Sequence, residues 1–532
     1  MAADAAARAS APRTLRDVLA AHLAAAPDAP YLIAPETGRT MRYRDVAAET
    51  LALEALFATR GIGTGDIVGM LLPNGYRTTA LFLGTMLAGR VVAPFNLLAQ
   101  QSQLAHCLGH SDCRIVFTTE AERARLDAAL AALPSQRRQA VEIVAIDVDL
   151  PGADAAATAA SLDIGAPLDA DAPALLMYTS GTTGLPKGAL LHHGNLVAAG
   201  RAVAGWHGLT RDDRCLSSLP LYHINGQCIA TITPFVSGGS VVAPHRFSAS
   251  AWWGLVEAHR PTWLNVVPTI IAYLINAARD DAQARYDFVR FARSASAPLP
   301  PEQHRAFEAR FGIGVVEAMG MTESSSVVLC NPQDPARRKI GSPGLPCGVE
   351  VKVVRADGSD DTPLPSGAPG ELLLRGPNVM AGYYKEPALT TAAITADGWL
   401  RSGDLGYRDA DGMYFITGRL KELIIKGGEN IAPREIDEAL LAHGAILEAA
   451  AVGIPDAHYG QEILACVVLK EGRCLTEEEI RSHCLRELGR YKTPRIIRIV
   501  SDLPKGPSGK IQRLKLLDLA LRAARRATAL PR

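Results

Sequence analysis

The sequence predicts an α/β protein that ends in a smaller α+β unit. Three observations predict it. Short β-type runs alternate with helical patterns over the first 150 residues or so, hairpin-like β segments dominate residues 350–417, and strands and helices mix closely beyond Gly418. Strand–helix alternation calls for parallel sheets covered by helices on both faces. A chain of 532 residues has room for about three to four domains of roughly 150 residues.

The elements follow in order. Residues 14–25 set Leu15, Val18, Leu19, His22 and Leu23 on one helical face, with Thr14 and Asp17 as a cap. Residues 67–72 read as a strand, 77–87 as a helix, 91–94 and 114–118 as strands, and an Ala-rich helix follows through 132. Residues 151–173, rich in Ala, Asp, Pro and Gly, read as a connector, and 174–177 as a buried strand. From about Ala297 the texture changes, and hairpin-like β segments run from Glu350 to Thr417 with Asp411-Gly412 as a turn. A boundary falls at 418–421. Residues 422–425 form a strand, Gly427-Gly428 a turn, and Pro433 starts a helix to about 442, where its missing N–H costs nothing. Strands at 449–453 and 463–469 and a helix near 476–488 complete the order.

Composition excludes several classes. Lys+Arg and Asp+Glu are equal at 55 each, which argues against a dedicated nucleic-acid partner. With 48% hydrophobic and 21% charged residues, the chain is not disordered. Nine cysteines, an odd number with no C-x-x-C, indicate reduced thiols and neither a disulfide frame nor a zinc site. The first residues lack an apolar run after a basic start, so a cytoplasmic location is expected. The apolar stretches at 80–99 and 263–278 are broken by Arg90 and by Asn265, Pro268 and Asn276, so they read as core and not as membrane spans.

The strongest single feature is residues 178–188, YTSGTTGLPKG. The apolar strand before it delivers a loop whose glycines let the backbone approach a ligand and expose N–H groups. Thr179, Ser180, Thr182 and Thr183 add hydroxyls, Gly181 and Gly184 the flexibility, and Lys187 a mobile positive charge. Such a loop suits the β- and γ-phosphates of a nucleotide. It is not a Walker A loop, because Pro186 stands where that pattern needs Gly. No G-x-G-x-x-G follows a strand and no G-x-S-x-G occurs, which removes support for dinucleotide oxidoreductases and α/β-hydrolases.

This loop resembles the signature of the adenylate-forming superfamily, which includes acyl-CoA synthetases, adenylation domains and luciferases. Five further stretches appear in the expected order: 219–227 (LPLYHINGQ), 319–324 (MGMTES), 398–404 (GWLRSGD), 418–430 (GRLKELIIKGGEN) and 504–513 (PKGPSGKIQR). The resemblance spans nearly the whole chain. It implies a large N-terminal domain, residues 1–418, of two α/β subdomains plus a β-barrel-like subdomain. A hinge at 419–421 and a small mobile α+β lid at 422–532 follow.

The reaction so implied joins a carboxylic acid to coenzyme A in two steps, through an acyl-adenylate made from ATP with Mg²⁺. An anion must approach a polyanion. At ~4 Å and an effective dielectric of about 20, each pair of like unit charges costs roughly 4 kcal/mol. The site therefore needs placed positive charge. By resemblance, Glu323 binds Mg²⁺ and Thr322 contacts the α-phosphate. Asp404 and Arg419 reach the ribose. Ser296, Ala297 and Pro298, with Met319, Gly320 and Met321, surround the nucleotide. Met319 replaces the aromatic residue that many relatives stack on adenine. Lys510 is the lid lysine that bridges carboxylate and phosphate, Lys421 is the hinge, and Lys426, Gly427 and Gly428 line the pantetheine channel. His223 falls where the family places an aromatic gate beside the acid.

Residues 216–230 hold no acidic side chain, which disfavours amino acids as substrates. The other pocket segments, 263–273 and 294–298, are largely apolar, with their one nearby charge, Arg293, just outside. An apolar aliphatic or aryl monocarboxylate is expected. The stretch 222–227 and the Trp252-Trp253 pair are also similar to crotonobetaine/carnitine-type ligases. A carrier protein is the alternative acceptor to CoA. A non-catalytic nucleotide-binding protein is disfavoured, because Thr322, Glu323, Asp404, Arg419 and Lys510 are all present. A homodimer is an allowed assembly. The Pro504–Lys510 spacing matches one that lysine acetyltransferases recognise in bacterial relatives, and acetylation of Lys510 would remove its charge.

Overall fold

The computed structural model describes residues 12–152, 167–179, 185–277, 286–505, 511–513 and 515–517. The expectations for Ser180, Gly181, Thr182, Thr183, Gly184 and Lys510, and for most of the 151–173 connector, lie outside these residues.

The first helix, Leu15–Ala25, begins where the cap predicts. The Asp17 N–H donates to the Thr14 hydroxyl at 3.1 Å and the Thr14 N–H donates to the Asp17 carboxylate at 2.9 Å, so two otherwise unpaired donors are satisfied reciprocally. Strands Ile67–Leu71, Val91–Pro94 and Ile115–Thr118 and helices Tyr76–Leu87 and Glu120–Ala131 follow. Every residue of Tyr76–Leu87 is buried, and its polar members Arg77, Thr78 and Thr79 are paired internally, Arg77 with Glu49 and the two threonine hydroxyls with backbone carbonyls. Among the described residues, no helix is long and apolar enough to cross a membrane.

Two large sheets organise most of the chain. One has seven strands, with Gly382–Tyr383 at one edge beside Lys187–His192, then Pro173–Thr179, Val91–Pro94, Ile67–Leu71, Ile115–Thr118 and Glu142–Ala145. The other has nine. At its centre Arg214–Leu216, Trp263–Val266, Phe291–Ser294 and Val315–Met319 run parallel. Val315–Met319, Leu329–Cys330 and Leu345–Pro346 still belong to this sheet, so the change of texture near Ala297 does not mark a change of sheet. Local composition cannot register which sheet a strand joins.

The hairpin region is a four-stranded antiparallel sheet of Glu350–Val354, Gly370–Arg375, Leu400–Arg408 and Tyr414–Arg419. Gly412, at φ +86°, makes the turn between the last two strands. This mixed α/β body carries a smaller α+β unit. There, Ile424–Lys426, Glu429–Ile431, Ile446–Asp456, Gly460–Leu469 and Ile496–Ile499 form one sheet. Helices Pro433–Leu441 and Glu477–Lys492 accompany it, and a separate cluster of Ile424, Ile436, Leu440, Ile463 and Ile480 forms its core. All nine cysteines are free, and all but Cys474 are buried.

Candidate active site

A cleft of ≈ 270 Å³ opens between the body and the smaller unit. It collects residues that are remote in sequence. Ser296, Ala297 and Pro298 leave the end of strand Phe291–Ser294, and Met319 and Gly320 leave the end of Val315–Met319. Asp404 and Arg419 come from the hairpin sheet. Loops at the carboxyl ends of parallel strands are where α/β sheets present ligand-binding groups. A side chain at Gly320 would collide with the Ser326 carbonyl oxygen at 2.0 Å, so the backbone approach at this wall requires glycine. Ser296 sits at φ +75°, a left-handed conformation costly for serine.

Asp404 is buried and pairs with Arg419 across the two strands, Nε to Oδ1 at 2.7 Å and Nη2 to Oδ2 at 3.3 Å. The negative charge of Asp404, more than burial opposes it, raises the Arg419 guanidinium above its ordinary value.

Glu323 lies in the short turn Thr322–Ser324, just beyond Met319–Met321. Its Oε1 accepts the Tyr383 hydroxyl at 2.8 Å. The Lys187 ammonium stands 5.2 Å from the centre of the same tyrosine ring. Lys187 pairs in register with Thr179, so the two described ends of the phosphate loop are antiparallel neighbours. Tyr383 thus joins the loop strand to the carboxylate, and the sequence reading missed it. Its two-residue strand carries no periodic signal; the Gly382-Tyr383-Tyr384 run was the only hint.

Among the described residues there is no cluster of three or more His, Cys, Asp or Glu side chains fit to hold a metal. A single buried carboxylate nevertheless suits Mg²⁺, which takes one or two carboxylates and draws its other ligands from phosphates and water. Glu323, with a hydrogen bond fixing one oxygen, fits that requirement.

His223 is half-buried, and burial pushes its imidazole down to about 4, so it is neutral at pH 7. Its Nδ1 accepts the Asn225 N–H at 3.3 Å, which assigns the proton to Nε2. Asn225 opens a π-helix, Asn225–Ile232, and donates to the Ser296 hydroxyl at 3.0 Å. Asn265 donates in turn to Asn225 at 3.0 Å and to Ser217 at 3.3 Å. In the sequence Asn225 stands out only as part of the 219–227 motif and Asn265 only as a break in an apolar stretch, and nothing in the pattern joins the two. Arg293 is the register neighbour of Asn265 on the adjoining strand. It is wholly buried, and among the described residues none of its three guanidinium nitrogens has a hydrogen-bond partner. The charge that the sequence reading left outside the acid pocket is therefore an internal one.

On the other side of the cleft stand Arg434, Glu448, Lys505 and Arg513 of the smaller unit. Arg513 holds the buried Asp437 at 2.5 Å and Glu422 at 3.2 Å. Lys505 and Ile511, which bracket the stretch containing Lys510, form an antiparallel bridge and both line the cleft. Lys421 is exposed in the single turn Leu420–Glu422 between the hairpin sheet and the sheet of the smaller unit. Lys426 is buried, its ammonium 2.6 Å from Glu462 and 2.9 Å from the Tyr491 carbonyl, while Gly427 and Gly428 turn at φ +56° and +86°. These three are not brought to the cleft, and the Lys426 ammonium is engaged inside the smaller unit.

The AMP-binding enzyme family matches residues 19–384, and its C-terminal domain matches residues 435–510. The chain belongs to the AMP-binding enzyme family. Together with its relatives, this makes it an AMP-forming acid–CoA ligase that uses ATP and CoA, with the Mg²⁺ typical of the family. Sulfoacetate–CoA ligase of Cupriavidus necator is 55% identical over 95% of this chain and 98% of its own length. Oxalate–CoA ligase of Arabidopsis thaliana is 34% identical over 87% of this chain and 90% of its own. Among solved structures, ATP-bound MatB from Rhodopseudomonas palustris superposes with a TM-score of 0.85 at 30% identity, covering 96% of this chain and 99% of that one. The AMP-binding enzymes therefore supply the expected fold: a large N-terminal body and a small C-terminal domain.

Proposed function

We propose that this ligase activates a short sulfonated carboxylic acid of the sulfoacetate type, and not the apolar monocarboxylate expected from sequence. The observation that carries the reading is 55% identity to a sulfoacetate–CoA ligase across nearly the full length of both chains. The apolar expectation rested on the largely apolar segments 263–273 and 294–298, and the identity to a sulfoacetate–CoA ligase is what argues against it.

In this reading the carboxylate attacks the α-phosphorus of ATP, pyrophosphate leaves, and the CoA thiol then displaces AMP from the acyl carbon. Such an acid brings two negative charges to a polyanion, so charge placement matters more than for an apolar acid. Lys187 faces the phosphates from the strand after the loop, with Tyr383 keeping it beside Glu323. Glu323 would hold Mg²⁺, which offsets phosphate charge when bound. Asp404 accepts hydrogen bonds from the ribose hydroxyls, with Arg419 fixing its orientation. His223, neutral, offers its Nε2 proton without adding charge. Lys510 enters for adenylation, and rotation about Lys421 withdraws it so that the thiol can reach the acyl group. Residues 1–418 form the adenylating body and 422–532 the lid. The buried Lys426–Glu462 pair gives Lys426 a role in stiffening the Gly427-Gly428 turn, which a CoA channel at that lid face would use.

The test is pyrophosphate release over sulfoacetate, malonate, propionate and benzoate, with and without CoA. The reading expects sulfoacetate to lead by kcat/KM and its thioester to form only with CoA. Preference for propionate or benzoate would refute it.

A further inference from the structure

We infer that Arg293 selects the acid, pairing its guanidinium with the second anionic group of the substrate. This rests on the proposed sulfonated substrate and names the residue that reads it.

A guanidinium keeps its charge, and burying it without a partner is costly unless an anion arrives to pair with it. Arg293 meets the first half of that condition: it is fully buried, and among the described residues Nε, Nη1 and Nη2 all lack partners. Its side chain does not line the cleft, but its position links it to the cleft wall. In the parallel sheet Arg293 stands level with Asn265 on one side and Val316 on the other, so these side chains share a face. On that face Asn265 is bonded to Asn225, and Asn225 to the Ser296 hydroxyl in the cleft wall. A line of polar groups thus runs from the cleft to the neighbour of Arg293. The Asn265 Oδ1 also lacks a partner among the described residues. Ser296 is three residues beyond Arg293, at most about 10 Å of extended chain. An acid whose two anionic groups are separated by one methylene is of a size to lie between the reacting end and this charge. A sulfonate presents several oxygens to the planar fork of an arginine, whereas an apolar acid leaves the fork unpaired.

One internal group competes for the role of counter-charge. The Cys347 thiol, then His207 and the positive charge of Arg293, pull the buried Cys330 thiol well below the ordinary thiol range. If Arg293 exists to serve Cys330, removing the thiol should disturb substrate choice as much as removing the arginine.

The experiment measures kcat/KM for sulfoacetate and propionate with the wild type, Arg293→Met, Arg293→Lys and Cys330→Ser. Arg293→Met should lower the sulfoacetate-to-propionate ratio on the order of 100-fold, through KM for sulfoacetate, as loss of one member of a buried charge pair does. Arg293→Lys keeps the charge but loses the fork, so its ratio should fall roughly three- to tenfold. Cys330→Ser should leave the ratio where it was. An unchanged ratio in Arg293→Met, or a Cys330→Ser shift that matches it, overturns the assignment. If the methionine variant does not fold, an unchanged ratio in Arg293→Lys overturns it equally. A wild type that prefers propionate defeats the proposed substrate itself, whereas a wild type that prefers sulfoacetate with Arg293→Met unchanged defeats only the role of Arg293.

Discussion

Asp404 and Arg419 stand directly opposite each other on neighbouring antiparallel strands, and the arginine closes on the carboxylate through Nε at 2.7 Å. The Asp411-Gly412 turn starts the cross-strand register, a bulge between Leu405 and Gly406 shifts it by one residue, and the result places both on one wall of the cleft. A carboxylate held in this way keeps a fixed direction for accepting two vicinal hydroxyls. Asp404→Asn should lower kcat/KM for ATP about 10- to 100-fold, the scale of a lost hydrogen bond to a charged group. The wild type should discriminate against 2′-deoxy-ATP and the variant should not. Equal discrimination by both would remove the ribose role.

Tyr383 couples Lys187 to Glu323, so the two charges should respond together. Glu323→Gln should cut adenylation at least 100-fold and raise the Mg²⁺ concentration needed for half-maximal rate. Tyr383→Phe keeps the ring beneath Lys187 and removes only the hydroxyl bond to Glu323, so a few-fold rise in that Mg²⁺ requirement is expected. A magnesium titration of both variants checks this.

The lid should separate the two half-reactions. Lys510→Ala should abolish acyl-adenylate formation while leaving thioester formation from supplied acyl-adenylate largely intact. Lys421→Pro should trap one lid orientation and so slow one half-reaction much more than the other. Single-turnover assays of each half-reaction decide both; wild-type rates in Lys421→Pro would place the pivot elsewhere.

Acid should destabilise the fold through buried neutral histidines. Burial pushes both His193 and His223 down to about 4. Between pH 6.5 and 4 the unfolded chain binds protons at these sites that the folded chain does not, so stability rises with pH across that window. Each site withdraws up to roughly 3 kcal/mol as pH falls through it. Denaturant unfolding at pH 7 and pH 4.5 should show the loss, and His193→Asn should reduce it.

Much of this was legible because it is local. The Thr14–Asp17 cap, the strands at 67 and 91, the 411–412 turn and the Pro433 helix start each write their signal within a few residues. The site segments were legible for the same reason: each motif is contiguous even though the cleft that collects them is not. What stayed hidden depends on pairing across long separations. Tyr383 meets Glu323 only because a two-residue strand adds to the sheet edge beside Lys187–His192. Arg293 looked peripheral because a charge at the end of an apolar run does not say which sheet face it occupies or what covers it.

The most direct measurement mixes the enzyme with ATP, Mg²⁺ and sulfoacetate in the absence of CoA, follows the acid-quenched products by mass spectrometry, and then adds CoA. Accumulation of sulfoacetyl-adenylate with one pyrophosphate released per adenylate, converted on CoA addition to sulfoacetyl-CoA and AMP, is the predicted result. Absence of that adenylate, with an apolar acid forming its own under the same conditions, would contradict the account.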